Sequence, residues 1–317
     1  MPRRIAILGL VLSTPLLAQG PGRPFEAPEG IAWEKDVEFA RVGDRALLLD
    51  VLRPAESPEG KMPAVVFVHG GGFVKGTKDQ GLMQNLRLAQ AGYYTVSIEY
   101  RLAPQDPFPA AVEDCKAAVR WVRANADRLG VDPEKIGIWG TSAGGHLASF
   151  VGTSGGLAEF EGTGGNPDVS SRVACVVDGF GPSNFVSITE QRGQPSTGRG
   201  PSESGFFGGR WSEELGRRAS PITHVSADDP PFLIIHGSED PVVPYQQSEE
   251  FFLELKEKEV DALLLRVTGA KHGWGRNEEV ERRIVAFFDR HLRGAEVEVS
   301  TEPVPDTGRG QPREKGR

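Results

Sequence analysis

A chain of 317 residues with 38% hydrophobic and 25% charged residues has the size of one large α/β domain or two small ones, and can bury its core without disulfides or metal. The formal net charge of −8 excludes the basic surface that nucleic-acid binding needs. Cys115 and Cys175 are the only cysteines, too few for a disulfide scaffold and without zinc-ligand spacing, and no apolar run reaches the ~18–20 residues of a membrane span.

Arg3 and Arg4 precede an apolar stretch at 5–17, and Leu16-Leu17-Ala18 forms a cleavage-like end. Residues 1–18 are therefore expected to be a signal peptide, and the protein to be secreted or periplasmic. Residues 19–29, with three prolines, read as a linker. Residues 37–40 and 46–52 alternate apolar and polar, which predicts an antiparallel hairpin. Continuous apolar runs follow at 63–69, 94–100, 135–139, 173–177, 231–235 and 262–267, as in strands covered on both faces. Between them lie amphipathic helical patterns. Residues 111–129 place Val112, Cys115, Ala118, Val119, Val122 and Ala126 on one stripe; 246–258 is similar; 277–292 aligns Val280, Ile284, Phe287, Phe288 and Leu292. Strand alternating with helix predicts an α/β domain over residues 30–293 with a mostly parallel central sheet flanked by helices. Both cysteines fall in buried patterns and are expected as free thiols. Residues 180–227, rich in Gly, Ser, Pro and Arg, break the rhythm and read as a lid-like excursion on the substrate side. Residues 294–317 are polar and read as a disordered tail.

The chemistry-bearing signal is Gly140-x-Ser142-x-Gly144, with an apolar strand before it and a helical pattern after it. That context is a nucleophile elbow, a sharp strand-to-helix turn that exposes a serine hydroxyl. The hydroxyl needs a base. The histidines are His69, His146, His224, His236, His272 and His291. The chain order serine, acid, histidine leaves His272, in a loop after a strand, and His291, near a helix end. A loop at a strand's carboxyl end is where a base belongs, which favours His272. For the acid, Asp240, Glu239 and Asp178 all follow strands, and spacing alone does not choose among them. His69-Gly70-Gly71-Gly72-Phe73 after the 64–68 strand leaves backbone N–H groups open to an oxyanion, with the amide of Ala143 as the other donor. His69 itself is expected to bond loop backbone.

Together these motifs resemble the α/β-hydrolase esterases, in their hormone-sensitive-lipase-like and bacterial feruloyl-esterase-like (BD-FAE) branches. The resemblance covers residues 36–293. It includes Tyr100-Arg-Leu-Ala-Pro104, the following Pro107-Phe-Pro-Ala-Ala111 with Glu113-Asp114, and Ser220-Pro221-Ile222, Pro230-Pro231 and Asp240-Pro-Val-Val-Pro244. It implies an α/β-hydrolase fold, Ser142 as nucleophile, Asp240 as acid, His272 as base, and Gly71, Gly72 and Ala143 as oxyanion donors, with no cofactor and no metal. The long N-terminal cap helices of the hormone-sensitive-lipase branch are missing, which favours the feruloyl-esterase-like branch and leaves 180–227 as a partial lid. Phe73 and Trp274, close in sequence to the site, and Phe185, Phe206 and Phe207 in the excursion are expected to line the substrate pocket. The expected activity is a secreted serine carboxylic-ester hydrolase for short acyl or aryl esters, such as acetyl or feruloyl esters of plant polysaccharide. The alternative is an amide hydrolase, a formamidase or peptidase, on the same triad. A non-catalytic binding protein would lack a triad member, and none is missing.

Overall fold

Short β-branched and aromatic runs become strands, and the intervening amphipathic stripes become the helices that cover them. The computed structural model describes residues 25–56, 58–193 and 202–307. The expected signal peptide and residues 19–24 of the linker lie outside the described residues. In chain order the elements are β1 (Ile31–Val42), β2 (Arg45–Pro54), β3 (Met62–Val68), α1 (Leu82–Gln90), β4 (Tyr94–Ile98), α2 (Ala110–Ala124), α3 (Ala126–Leu129), β5 (Val131–Thr141), α4 (Ala143–Thr153), β6 (Cys175–Gly179), α5 (Ile188–Gln191), α6 (Glu213–Arg218), β7 (Phe232–Gly237), α7 (Gln246–Glu257), β8 (Ala262–Thr268), α8 (Glu278–Arg293) and β9 (Val304–Pro305).

Among the described residues the strands form one sheet in the order β1-β2-β4-β3-β5-β6-β7-β8-β9. β1 pairs antiparallel with β2, and β2 with β4; all other pairs are parallel. This is the expected parallel sheet with an N-terminal antiparallel hairpin. Every residue of β3, β4, β6 and β7 is buried, because α2, α4 and α7 pack on one face and α1 and α8 on the other. The chain winds outward in both directions from β3, to β4 on one side and β5 on the other. A crevice is left beyond the carboxyl ends of β3 and β5, the switch point where ligands bind in open α/β sheets. The loops after these two strands carry the glycine run and Ser142.

Two sequence expectations are corrected. The predicted 111–129 helix breaks at Asn125, whose side-chain amide donates to Trp121 O at 2.8 Å; α3 follows and ends at Gly130 in the left-handed region, φ 68°. The expected tail is ordered over residues 295–307. After Gly294 closes α8 with φ 67°, Val299 and Val304 are buried. Arg283 Nη1 donates to Ser300 O (2.9 Å) and Glu302 O (2.6 Å), and β9 pairs parallel with β8, Val267 facing Val304. Two buried valines and two guanidinium hydrogen bonds hold a segment whose composition is otherwise polar. Residues 308–317 lie outside the described residues.

The described part of the 180–227 excursion holds α5, α6 and two short 3₁₀ turns, Ser202–Phe207 and Pro221–His224; residues 194–201 lie outside. It is tied down from several elements. The Gln247 side-chain carbonyl accepts from the amides of Ser183 (2.9 Å) and Asn184 (2.8 Å), and Phe108 N donates to Phe206 O (2.8 Å). Both cysteines are buried and free, as expected. No described helix is long and apolar enough to cross a membrane.

His146, four residues after Ser142, is fully buried among Phe73, Phe150, Phe185 and Phe206. Its Nδ1 donates to Pro182 O at 2.8 Å, and Nε2 has no partner among the described residues. Burial pushes its pKa from 6.5 down to about 4. Unfolding frees the ring to bind a proton at its ordinary value, so between pH 6.5 and 4 the unfolded chain holds a proton that the native protein lacks. Stability therefore falls as pH falls through that window, by on the order of 3 kcal/mol at ~1.36 kcal/mol per unit. Asp229, pushed up to about 6 by burial, contributes a slope of opposite sign. The quantity to read is thus the difference in unfolding free energy between wild type and His146→Asn, whose amide can still donate to Pro182 O. That difference is expected to shrink or change sign on acidification, and one independent of pH would contradict the neutral buried ring.

Candidate active site

β5 runs into α4 through Ser142, which sits at φ 55°, ψ −124°. A non-glycine residue there is strained, and the surroundings hold it: Ser142 N donates to Gly179 O (2.7 Å) and His146 N to Ser142 O (3.0 Å). The turn is tight enough that a Cβ on Gly144 would run into the Val68 carbonyl and one on Gly140 into the Gly144 carbonyl. Ser142 Oγ lies 2.8 Å from His272 Nε2, and His272 Nδ1 lies 2.6 Å from Asp240 Oδ2. Asp240 Oδ1 accepts from the amides of Val242 (2.7 Å) and Val243 (3.0 Å). The carboxylate is wholly buried. Burial alone would raise its pKa, but hydrogen bonds from His236 and His272 outweigh that and hold it well below the usual carboxylate range.

The competing candidates point elsewhere. Asp178 is buried with Oδ2 on Ser149 Oγ (2.7 Å) and Oδ1 on Gly181 N (2.9 Å). Glu239 is exposed. His291 stands on α8, 3.9 Å from Asp261.

The glycine loop after β3 is held from below. Tyr100 Oη donates to His69 O (3.0 Å), and its ring stacks on the His69 imidazole at 4.2 Å. His69 Nδ1 bonds Gly70 O (2.7 Å), the backbone role expected of it. Ala103 N donates to Phe73 O (2.9 Å). Arg101, next to Tyr100, grips Asp114 through Nε and Nη2 at 2.8–3.0 Å and Glu113 at 2.9 Å. The Tyr100-to-Asp114 segment thus supports the loop and lines none of the cavity beside Ser142. Gly71 (φ 124°) and Gly72 (φ 61°) take backbone angles that side chains disfavour. Among the described residues, the N–H groups of Gly71, Gly72 and Ala143 have no hydrogen-bond partner. Their residues border the same cavity as Ser142 and His272.

That cavity is about 590 Å³, walled by the glycine loop, Val74, Lys75, Gln80, Phe180, Pro182, Val242 and Val243, within the usual size range of ligand pockets. A similar volume behind the acid loop, about 610 Å³, is bordered by Gln191, Ser238, Asp240, Tyr245 and Arg266; its lining holds no histidine, and Ser238 Oγ accepts from Gly269 N at 2.9 Å. The aromatic expectation is largely corrected. Phe73 borders the catalytic cavity, but its ring is buried and stacked on Phe206 at 4.0 Å. Phe185, Phe206 and Phe207 do not line it; they pack with Phe73 into the core cluster. The described excursion is therefore a buttress, reaching the cavity wall through Phe180 and Pro182 and backing Val74 at Gly205. Trp274 is also buried, edge-on to Phe180 at 5.3 Å, one layer behind the wall.

Phe180 went unrecognised in the sequence, although its position directly after β6, at the carboxyl edge of the sheet, is a usable signal. It adopts φ 46° and sets its ring edge-on to His272 at 4.8 Å. Phe180→Ala is expected to raise KM for short acyl esters by about 3- to 10-fold, the scale of one aromatic contact, and to shift preference toward longer acyl chains. A p-nitrophenyl ester series measures this, and an unchanged KM and chain-length profile would remove Phe180 from the substrate wall.

A model of the BD-FAE family matches residues 49–255. The esterase LipC of Mycobacterium tuberculosis is 35% identical over 280 residues, covering 82% of this chain and 66% of LipC. Among solved structures, a truncated carbohydrate esterase from gut microbiota superposes with TM-score 0.72 at 28% identity, over 83% of this chain and 96% of that one. An acetyl ester-xyloside bifunctional hydrolase from Caldicellulosiruptor lactoaceticus gives 0.66 at 26%, over 76% and 88%. The chain spans between about half and two thirds of the length of the curated relatives it matches. With the family match covering more than half of the sequence, and Ser142, His272 and the glycine loop meeting at one cavity with Asp240 hydrogen-bonded behind the histidine, the chain belongs to the BD-FAE family.

Proposed function

We propose that the protein is a serine carboxylic-ester hydrolase working through an acyl-enzyme. The observation that carries this reading is the continuous hydrogen-bonded line Ser142 Oγ–His272–Asp240 beside three unpartnered backbone N–H groups. His272 Nε2 takes the serine proton as Oγ attacks the ester carbonyl. Asp240 keeps the other proton on Nδ1, so Nε2 is free to accept, and steadies the imidazolium that forms. The carbonyl oxygen turns negative as it becomes tetrahedral, and the amides of Gly71, Gly72 and Ala143 donate to it. His272 then hands its proton to the leaving alcohol, and a water, deprotonated by the same nitrogen, releases the acid. Acid must silence the enzyme, because a protonated His272 cannot accept from serine.

The proposed substrates are short acyl or aryl esters, with acetyl or feruloyl groups on plant polysaccharide as candidates. The names of the similar solved structures, a carbohydrate esterase and an acetyl ester-xyloside hydrolase, support the carbohydrate-linked acetyl reading. So does a cavity rimmed by Val74 and Val242, both well exposed, which suits a small acyl group on a bulky alcohol. Export through residues 1–18 is part of the proposal and would bring the enzyme to such a substrate. The test is a panel of p-nitrophenyl acyl esters, acetylated xylan, methyl ferulate and a matched anilide. Turnover of the acetyl esters with little on the anilide is expected; faster anilide than ester cleavage would replace the reading with an amidase.

A further inference from the structure

A second histidine touches the acid, and nothing in the mechanism above employs it. His236 is the penultimate residue of β7 and is completely buried. Its Nε2 lies 2.9 Å from Val243 O and 3.3 Å from Asp240 Oδ2. Its Nδ1 lies 2.6 Å from Ser248 Oγ on α7. A carbonyl oxygen can only accept, so Nε2 carries a proton and points it between two acceptors, Val243 O and the carboxylate. The serine hydroxyl can then donate to a bare Nδ1, which sets the tautomer from both sides. Asp240 Oδ2 is thus faced by two imidazole N–H groups, from His272 at 2.6 Å and His236 at 3.3 Å, while Oδ1 takes two backbone amides.

Resting on the esterase reading, we propose that His236 is a positioning residue for the reaction, acting through Asp240: with Ser248 behind it, its Nε2–H fixes the carboxylate rotamer and draws charge from the oxygen that faces His272. The Val243 carbonyl bond serves the same end, since Val243 N is itself a donor to Asp240 and the loop is closed by one imidazole. The titratable and charged groups around the ring are Asp240 on its own loop, His272 from the β8–α8 loop, Asp178 at the end of β6, Tyr245 before α7 at 5.6 Å between rings, and Arg266 beside it on β8. Of these only Asp240 lies within hydrogen-bonding reach of Nε2. Withdrawing that N–H leaves the Asp240 charge concentrated on the oxygen shared with His272. The carboxylate then holds the His272 proton more tightly, and the acid limb of the rate profile moves to higher pH.

The experiment compares the pH profiles of kcat and KM for wild type, His236→Leu, His236→Gln and Ser248→Ala with one p-nitrophenyl ester. His236→Leu is expected to lose roughly 10- to 100-fold in kcat, as when a group orienting a functional ligand is removed, with KM within about threefold and the acid limb shifted upward. His236→Gln, which keeps an N–H donor at that reach, is expected to recover most of the loss. Ser248→Ala no longer polarises the ring through Nδ1, weakens the Nε2–H donor, and is expected to give a smaller shift in the same direction; it decides the matter if His236→Leu does not fold. Unmoved profiles in His236→Leu, or equal losses in the Leu and Gln variants with no limb shift, overturn the inference and leave His236 a packing residue. Wild-type protein without ester turnover overturns this inference together with the reading on which it rests, whereas active wild type with an unmoved variant overturns this inference alone.

Discussion

Ser142→Ala is expected to lower kcat by about five to six orders of magnitude, the scale at which a serine hydrolase loses its nucleophile, while leaving the fold intact. At ~1.36 kcal/mol per decade, that is on the order of 7–8 kcal/mol of barrier. The Ser142 hydroxyl has His272 Nε2 as its sole side-chain partner among the described residues, so its removal strands no other buried group. The strained backbone at φ 55° is shared by serine and alanine alike, and thermal unfolding should move by no more than about 2 °C, under ~1 kcal/mol. Purified protein, p-nitrophenyl acetate and a melting curve decide it. Retention of wild-type turnover would sink the serine mechanism; a collapsed melting temperature would mean that the hydroxyl holds the elbow together.

The second large effect belongs to the acid. Asp240→Asn is expected to lower kcat by about three to four orders of magnitude, by the tautomer argument known from serine proteases. In this site the backbone enforces that outcome. The Oδ1 position faces the amides of Val242 and Val243, so the asparagine oxygen belongs there and its NH₂ turns toward His272. The imidazole must then present a bare Nδ1 and carry its proton on Nε2, where it cannot accept from Ser142. The NH₂ also meets the Nε2–H of His236 head-on, which costs stability. Asp178→Asn and Glu239→Gln should each stay within about tenfold, under ~1.4 kcal/mol of barrier, because one bonds Ser149 and Gly181 and the other faces solvent. A larger loss in Asp178→Asn than in Asp240→Asn would move the acid to β6.

The residues legible in the sequence are those whose chemistry demands a particular backbone. Gly140, Ser142 and Gly144 are readable because the elbow admits almost no other residues, and Gly71 and Gly72 because their amides must be bare and their angles left-handed. His272 was readable from its place after a strand. Spacing leaves the acid open among three carboxylates, because which side chain of a tight turn faces the imidazole depends on the two amides that catch it, and amides have no letter in a sequence. The pocket walls are hidden from the sequence for a related reason. Phe185, Phe206, Phe207 and Trp274 are large and near the site in sequence, but large rings gain most by full burial, and each found a partner in the core. The wall went instead to Phe180 and to Val74 and Val242, whose loops happen to end at the crevice. Residues 294–307 read as tail because their order comes from the unpaired edge of β8 and from Arg283, both distant in sequence.

The pairing of β3 with β5 has a consequence for how this site can change. Val68 and Gly140 are register partners in the ladder, so the loop that binds the oxyanion and the turn that carries the nucleophile leave the sheet from adjacent rungs. Their separation is set by main-chain hydrogen bonds, which no side-chain substitution at the cavity rim can stretch. The side chains of Val74, Val242 and Phe180 border the cavity and make none of those main-chain bonds. Cavity shape can therefore drift by exchange of wall residues while the spacing of the two loops is kept, and a library at Val74 and Val242, which unlike Phe180 do not pack on His272, would vary the wall and leave that spacing alone.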